Sequence, residues 1–188
     1  MEVRFWGTRG SIATPGPHTV RFGGNTSCVE VRTDAGHVFI LDCGTGARPL
    51  GDALAAPVDA SILFSHTHWD HIQGFPFFAP AFEPRNTIAV YGPHDGRRSL
   101  RDTLARQMEL SYFPVEMSQL PATLSYTDLG EGAHTIAGAR DAARLHARAA
   151  ALERTEHLDR RASALGNGAR APLDLGDHGV VVARVVVG

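Results

Sequence analysis

The sequence contains no lysine, since all 18 of its basic residues are arginine. A Schiff-base lysine and a P-loop lysine are therefore both excluded. No apolar run reaches the roughly 18 residues that a transmembrane helix needs, so we expect no membrane span. The 18 basic residues are balanced by 20 acidic ones, which argues against a broadly cationic surface for nucleic acid.

Cysteine is scarce as well. Cys28 and Cys43 are the only two, and they form no CxxC pattern. This argues against a disulfide framework and fits reduced thiols. The N-terminal segment has an acid at Glu2 and no apolar stretch of the kind that marks a secretory signal. We therefore expect a cytoplasmic protein, and the length of 188 residues predicts a single domain over residues 1–188.

Short apolar segments alternate with helical or turn-rich ones over residues 1–137, a pattern typical of an α/β domain. A hairpin is expected where the second and third of these segments face each other across an Asp-Ala-Gly turn. The predicted strands are residues 3–6, 28–32, 38–41, 60–64, 87–91 and 122–126. Helices are predicted up to residue 54 after the glycine at 46, and over 100–110.

The end of the chain has a different composition. Over residues 139–171, 11 of 33 residues are alanine and seven are arginine. The periodicity there is weak, so no strand is predicted before residue 180, and residues 180–187 are predicted to form one β segment. We interpret residues 138–188 as a divergent Ala/Arg-rich tail of the same domain.

The strongest chemical signal follows the predicted strand 60–64, in the sequence Ser-His-Thr-His-Trp-Asp-His over residues 65–71. His66 and His68 are two positions apart, so an extended or turning backbone can aim both imidazoles at one point. Asp70 and His71 stand at the start of the next helix and can address a second point nearby. Imidazole plus carboxylate suits Zn²⁺, and also Mn²⁺ or Fe²⁺. The alternative is a polar loop in which the histidines cap the helix.

The pattern His-x-His-x-Asp-His after a buried strand resembles the signature of the metallo-β-lactamase fold hydrolases. Three more segments are similar to the branch with ribonuclease Z-like and cyclic-phosphodiesterase-like enzymes: Phe-Trp-Gly-Thr-Arg-Gly-Ser at 5–11, Gly-Gly-Asn-Thr-Ser-Cys at 23–28, and Leu-Asp-Cys-Gly-Thr-Gly at 41–46. The resemblance covers roughly residues 2–137. It implies an α/β fold, the metallo-β-lactamase αββα sandwich, with the first half present and the second half incomplete.

The resemblance also implies roles for individual residues. His66 and His68 would bind a first metal ion, and Asp70 and His71 a second, with Asp70 also positioning or deprotonating the attacking water. Two ions about 3.5–4 Å apart would hold a bridging hydroxide and clamp a phosphate or carbonyl group.

Residues outside the histidine motif have expected roles too. Asp42 would accept a hydrogen bond from a ligand imidazole and fix its tautomer, the alternative being a plain turn aspartate. Gly44 and Gly46 would permit a tight turn beneath the metals. Asn25 and Thr26 would shape the floor of the site, or else form an Asx-type turn.

The family site further needs a third histidine for the first metal, a bridging aspartate and a last histidine. His146 is the candidate for the third histidine, although its neighbours Leu145 and Ala147 differ from the Asn or His and the Pro usual in the family. The candidates for the bridging aspartate are Asp159, Asp174 and Asp177, and those for the last histidine are His157 and His178. None of them stands in a sequence motif of the family. A truncation or a frameshift in a GC-rich coding sequence would explain why the end of the chain is rich in alanine and arginine and lacks these ligands. Reading the coding DNA in the other two frames after residue 138 tests this hypothesis.

These features predict a metal-dependent hydrolase, most like a phosphodiesterase, in which a metal-bound hydroxide attacks a small or cyclic phosphodiester. No basic insert for gripping RNA is seen, so a nucleic-acid substrate is not favoured. Thioester, lactone or lactam hydrolysis in the same fold is one alternative, and a truncated, non-catalytic metal-binding remnant is another.

The implied cofactor is a pair of Zn²⁺ ions, with Mn²⁺ or Fe²⁺ as alternatives. The expected partner is a small anionic molecule, with no membrane, and a homodimer would cover the exposed face of the first sheet. The aromatic segment 75–82 is predicted to pack in the core, the alternative being an apolar flap or a dimer surface.

Overall fold

Six strands form one sheet in which the order in space is the order in the chain. The computed structural model describes residues 1–94, 97–130, 132–137, 142–147 and 186–187. The strands are β1 (Glu2–Gly7), β2 (Cys28–Arg32), β3 (Val38–Leu41), β4 (Asp59–Leu63), β5 (Thr87–Pro93) and β6 (Thr123–Leu129). The pairs β1–β2 and β2–β3 are antiparallel, and β3 to β6 are parallel. All six predicted strands are confirmed, with bounds shifted by up to three residues.

Short helices connect the parallel strands, as crossovers between such strands require. Helix α1 (Ala47–Ala53) links β3 to β4, α2 (Trp69–Ile72) follows β4, and α3 (Leu100–Arg106) links β5 to β6. The hydroxyl of Ser99 caps α3 by accepting a hydrogen bond from the Asp102 amide at 3.0 Å. Helix α3 is shorter than the predicted 100–110 because a tight turn, with Met108 N–H donating to the Ala105 carbonyl, replaces helical bonding.

The main core lies between the helices and one face of the sheet. The largest of its fully buried side chains are Ile40, Leu50, Ile62, Phe75, Phe78, Ile88, Leu100, Leu104 and Met108. The aromatic segment forms two 3₁₀ turns, Phe75–Phe77 and Ala79–Phe82, and its Phe75 and Phe78 belong to this core. The prediction that segment 75–82 packs in the core is therefore confirmed for Phe75 and Phe78, whereas Phe77 and Phe82 are exposed.

The opposite face of the sheet carries a second, smaller apolar cluster of Val31, Phe39, Leu63, Leu129 and Ile136. Ile136 comes from another, antiparallel sheet of three strands, β7 (Gly132–Ala137), β8 (Ala142–Ala147) and β9 (Val186–Val187). The helices, the large sheet and this second sheet give the α/β architecture of an αββα sandwich.

One prediction about the end of the chain is wrong, because strand β8 lies where no strand was expected before residue 180. Its six residues pair with β7 along its whole length, from Gly132 opposite Ala147 to Ala137 opposite Ala142. Pairing with a neighbouring strand, rather than an apolar alternation in its own sequence, explains this strand. Of the predicted segment 180–187, only β9 falls within the described residues.

No helix in the described part of the chain is long and apolar enough to cross a membrane.

Candidate metal centre

The polar residues of the motifs meet at one edge of the large sheet. Asp42 directly follows β3, and the segment from Ser65 to His71 follows β4. Because β3 and β4 are parallel neighbours, their carboxyl ends lie at the same edge, where α/β sheets bind their ligands. The order of the strands therefore brings together residues that are more than twenty positions apart in the chain.

Asp42 is the centre of the hydrogen-bond network at this edge. Its carboxylate accepts hydrogen bonds from the Ser65 amide and the Ser65 hydroxyl, both at 2.8 Å. It is also 2.8 Å from Nδ1 of His71 and 3.2 Å from the Ser27 hydroxyl, which donates to it. Asp42 is buried and adopts a left-handed backbone with φ of 59°, which a non-glycine residue rarely does. So many partners hold the strained conformation in place.

These bonds fix the proton positions on two imidazoles. Since the Asp42 carboxylate only accepts, Nδ1 of His71 carries a proton and a neutral His71 ring has its lone pair on Nε2. The Ser65 hydroxyl gives its single proton to Asp42, so its oxygen accepts from Nδ1 of His66 at 3.1 Å. His66 is thereby held in the same tautomer. In both rings the nitrogen free for a ligand is Nε2.

Three imidazoles and one carboxylate cluster beyond this network. The ring centre of His66 is 4.0 Å from that of His71 and 4.5 Å from that of His68. Oδ2 of Asp70 lies 3.5 Å from Nε2 of His71 and accepts a 2.7 Å hydrogen bond from the Ser11 amide. All four residues predicted from the motif are therefore brought together.

The surroundings shift the pKa values of His66 and His71 in opposite directions. Burial, with the neighbouring imidazoles of His71 and His68, lowers the pKa of His66 to about 4, so this ring is neutral near pH 7. Burial also acts to lower the pKa of His71, but the hydrogen bond and charge of Asp42, with the charge of Asp70, outweigh it. The pKa of His71 is therefore raised. A neutral imidazole is the form that binds a metal ion.

The backbone beneath the cluster is packed too closely for side chains. A Cβ on Gly44 would lie 2.2 Å from the carbonyl oxygen of Asp70, and one on Gly74 would lie 1.9 Å from that of Gly44. The hydroxyl of the buried Thr26 accepts hydrogen bonds from the Thr45 amide at 2.8 Å and from the Gln73 side chain at 3.2 Å. These contacts hold the loop after β3 against the start of α2.

The two cysteines take no part in the polar cluster. Both are buried and free. Burial, together with the charges of Asp42 and Glu30, raises the pKa of Cys28 to about 12, and burial raises that of Cys43 as well. Both thiols therefore stay protonated, and neither is a thiolate ligand or nucleophile near neutral pH.

The ligand types present suit a divalent ion, because imidazoles and a carboxylate lie side by side and the rings of His66 and His71 are oriented by hydrogen bonds. Across the described ranges, however, no three His, Cys, Asp or Glu side chains form a group that could hold a metal ion by themselves. These residues thus supply donors of the right chemistry without completing a coordination group.

The remaining predicted ligands belong to the end of the chain. His146 lies on β8, opposite Ala133 of β7, and its side chain is outside the described part. The other candidates also lie outside the described residues: Asp159, Asp174, Asp177, His157 and His178.

Two contributors to the centre were not assigned a role from the sequence. Ser65 links Asp42 to His66, and the backbone amide of Ser11 holds Asp70. Ser65 directly precedes His66, so its position in the motif could have indicated a role in orienting that histidine. No sequence signal could have indicated the role of the Ser11 amide, because every residue except proline carries the same backbone donor.

A protein-family model, described as the beta-lactamase superfamily domain, matches residues 37–163, which is more than half of the chain. The fold is similar to the crystal structure of a diphosphatase from the PhnP family, with a TM-score of 0.51 and 17% sequence identity over 77% of this chain. This chain spans 55% of that structure's length.

A structure from Thermotoga maritima, provisionally assigned as a metallo-β-lactamase, is 15% identical with a TM-score of 0.36. That comparison covers 79% of this chain and 73% of the other. No curated protein matches the sequence.

Proposed function

Because the chain belongs to the beta-lactamase superfamily, as the domain match over residues 37–163 shows, we propose that it is a metal-dependent hydrolase acting on a small or cyclic phosphodiester. Domains of this superfamily generally bind divalent metal ions, typically zinc. Zn²⁺ is the proposed ion, with Mn²⁺ or Fe²⁺ as alternatives.

One observation carries this proposal: three imidazoles and the carboxylate of Asp70 are assembled at the carboxyl edge of parallel strands. The ring centre of His66 lies 4.0 Å from that of His71 and 4.5 Å from that of His68, and burial with these neighbouring imidazoles lowers the pKa of His66 and favours its neutral form. His66 and His68 would contribute ligands to a first ion, and Asp70 and His71 to a second. When bound, the metal would supply Lewis-acid polarisation of the phosphoryl oxygen and a water of lowered pKa.

The chain's own residues have separable tasks in this reaction. Asp42 and Ser65 keep His71 and His66 in the tautomer that presents Nε2. The Ser11 amide fixes Oδ2 of Asp70, so that Oδ1 of the same carboxylate is the oxygen available to accept a proton from water. Asp70 is thus the proposed general base.

The phosphodiester is favoured over other esters by the motifs at 5–11, 23–28 and 41–46, which resemble the phosphodiesterase branch. A thioester, lactone or lactam is the alternative within the same fold. The other alternative is a truncated, non-catalytic, metal-binding remnant of that fold.

Metal analysis and turnover of bis(p-nitrophenyl) phosphate test the proposal together. We expect about two equivalents of Zn²⁺ or Mn²⁺ and measurable turnover in the wild type. Asp70→Asn keeps the shape of the side chain but is a far weaker base, so kcat should fall by roughly 10²–10⁴-fold. Asp102→Asn, on the exposed face of α3, is the matched control and should leave kcat unchanged.

Two results would contradict the proposal. Less than one equivalent of metal with no turnover would support the non-catalytic remnant. Turnover of thioesters or lactones with none of the diester would support the other hydrolase activity.

A further inference from the structure

Two residues other than glycine have a positive φ in the described part of the chain, and both belong to the candidate metal centre. They are Asp42, with φ of 59°, and Ser11, with φ of 68°. A residue with a side chain is strained in this conformation, whereas glycine is not. Elsewhere in the described ranges the positive φ values belong to glycines, Gly23 and Gly36. The serine at position 11 therefore marks a place where strain is retained.

Ser11 is the central residue of a γ-turn in the long loop between β1 and β2. The amide of Ile12 donates to the Gly10 carbonyl at 2.9 Å, and the positive φ of Ser11 makes this the rare and strained classic form of the turn. The chain before the turn is held in place, because the Arg9 amide donates to the Asn25 carbonyl at 3.0 Å. Strained residues persist where the surrounding structure holds them, and they cluster at functional sites.

The side chain of Asp42 accounts for its strained backbone, since its carboxylate accepts hydrogen bonds from Ser65 and His71. The fold uses only the backbone of Ser11. Its amide donates to the Asp70 carboxylate at 2.7 Å, and a glycine at this position would offer the same amide without the strain. Within the described ranges, the hydroxyl of Ser11 takes part in no hydrogen bond. The contacts of the fold therefore do not explain why position 11 carries a hydroxyl.

The hydroxyl of Ser11 lies close to Asp70 on a side that is open to solvent. Covalent geometry keeps a serine Oγ within about 4 Å of its own amide nitrogen, so the Ser11 hydroxyl is within about 7 Å of Oδ2 of Asp70 in any rotamer. Ser11 is exposed, and so are Ile12 beside it and Trp69 beside Asp70, at 68% and 77%. A ligand that approaches Asp70 from solvent therefore comes within reach of this hydroxyl.

We propose that the Ser11 hydroxyl donates a hydrogen bond to a non-bridging oxygen of the phosphodiester, which makes Ser11 a substrate-binding residue. The assignment rests on the proposed function, because that function brings the phosphoryl group next to Asp70. A carboxylate and an anionic phosphoryl oxygen repel each other, so a neutral donor beside the carboxylate favours binding of the diester. A serine hydroxyl is such a donor, and glycine and alanine have no side-chain donor.

Binding of diphenyl phosphate tests the contact without measuring turnover, since phenolate is a much poorer leaving group than p-nitrophenolate. Isothermal titration of the purified full chain in the presence of Zn²⁺ should show binding that Ser11→Gly and Ser11→Ala each weaken at least about tenfold. Ser125→Ala removes an exposed hydroxyl from β6 and is the matched control, which should bind diphenyl phosphate like the wild type.

The two variants at position 11 separate loss of the hydroxyl from damage to the fold. Ser11→Gly keeps the amide that holds Asp70 and removes the strain, whereas Ser11→Ala keeps the strain. In thermal unfolding followed by circular dichroism, Ser11→Gly should therefore melt at a higher temperature than Ser11→Ala. Equally weakened binding in the more stable and the less stable variant is the result expected for a lost hydroxyl contact.

Wild-type affinity in Ser11→Gly would overturn the proposal, because position 11 would then contribute its backbone amide alone. The absence of diphenyl phosphate binding to the wild type would overturn it as well.

Turnover of bis(p-nitrophenyl) phosphate tests the link to hydrolysis. We expect both variants at position 11 to lower kcat/KM at least about tenfold and to keep the pH profile of kcat, because Asp70 retains its amide partner. A changed pH profile in Ser11→Gly would show that Ser11 acts through Asp70 and not on the substrate, which would overturn the proposal. If the wild type does not hydrolyse the diester, the proposed function fails, while the titration still decides whether Ser11 contacts a phosphodiester.

Discussion

At the scale of single residues, Asp42 shows how one carboxylate organises a site that it does not line. It receives two hydrogen bonds from Ser65, one from His71 and one from Ser27, while its own backbone is held at φ of 59°. The conformation and the partners depend on each other. A turn aspartate facing solvent would have neither the burial nor the imidazole partner.

Replacing Asp42 with asparagine should damage both stability and metal affinity. An amide nitrogen cannot accept the proton of Nδ1 of His71, so one donor of the network loses its partner. We expect the free energy of unfolding to fall by about 1–3 kcal/mol and metal affinity by roughly 10–100-fold. Urea denaturation and a competitive chelator titration measure the two effects.

Asp52→Asn is the control for this change, since Asp52 is exposed on α1. Equal metal affinity in Asp42→Asn and wild type would show that Asp42 does not orient a metal-binding imidazole.

At the scale of elements, the site depends on how closely the loop after β3 approaches the start of α2. The amide of Cys43 donates to the His71 carbonyl at 2.7 Å, and the amide of Gly74 donates to the Cys43 carbonyl at 2.8 Å. Backbone contacts in both directions leave no room for a side chain between the two segments. The helix that carries Asp70 and His71 is thereby placed against the strand end that carries Asp42.

Gly44→Ala is therefore expected to be strongly destabilising. Its Cβ would lie 2.2 Å from a backbone oxygen and 2.4 Å from the Thr26 hydroxyl, so the backbone itself must shift. Overpacking of a closely packed site usually costs about 1–3 kcal/mol, and the backbone contact places this case at or above the upper end. Thermal unfolding followed by circular dichroism gives the comparison.

Gly130→Ala is the matched variant for that experiment, because a Cβ there meets nothing within 4 Å. A melting temperature for Gly44→Ala within a degree or two of that control would contradict the close approach described here.

At the scale of the whole molecule, the two faces of the large sheet differ. The face under the helices holds the larger core, whereas the other holds the small cluster around Phe39 and Leu63. The aromatic segment after the histidine motif belongs to the first face. Phe75 comes three residues after the last residue of α2 and is buried in the main core, so the helix that carries Asp70 and His71 is followed directly by core residues.

Phe78→Ala should unfold the molecule far more readily than Phe82→Ala. Phe78 is fully buried, and truncating a buried phenylalanine costs about 3–5 kcal/mol through lost burial and the cavity left behind. Phe82 is 39% exposed, so its truncation should cost less than half as much. Chemical denaturation of both variants measures the difference, and equal losses would argue against the assigned core.

The edge strand β1 leads to a prediction about self-association. Val3 and Phe5 pair with Val31 and Val29 of β2 and so share the face of the smaller cluster, yet they are 48% and 68% exposed. Exposed apolar side chains on an edge strand favour contact with another chain. We predict a homodimer in sedimentation equilibrium.

Phe5→Glu should shift that dimer toward the monomer, because it places a charge in the proposed contact. Tyr112→Ser removes a comparably exposed aromatic ring from the turn region after α3 and should leave the dimer intact. A stable, soluble wild-type monomer would count against the prediction.

The sequence by itself was enough for the α/β class, the six strands of the large sheet and the grouping of His66, His68, Asp70 and His71. Local patterns carry this information, because the apolar runs, the turn residues and the histidine spacing are each contained within a few positions. It was not enough for β8, whose sequence has no strand alternation and which is defined by its pairing with β7.

Only the tertiary structure decided which distant groups complete the network around those histidines. Asp42 and Ser65 meet because two parallel strands end side by side, and the Ser11 amide reaches Asp70 across 59 positions of the chain. Long-range contacts of this kind depend on chain geometry, since a backbone amide has no distinguishing pattern in sequence.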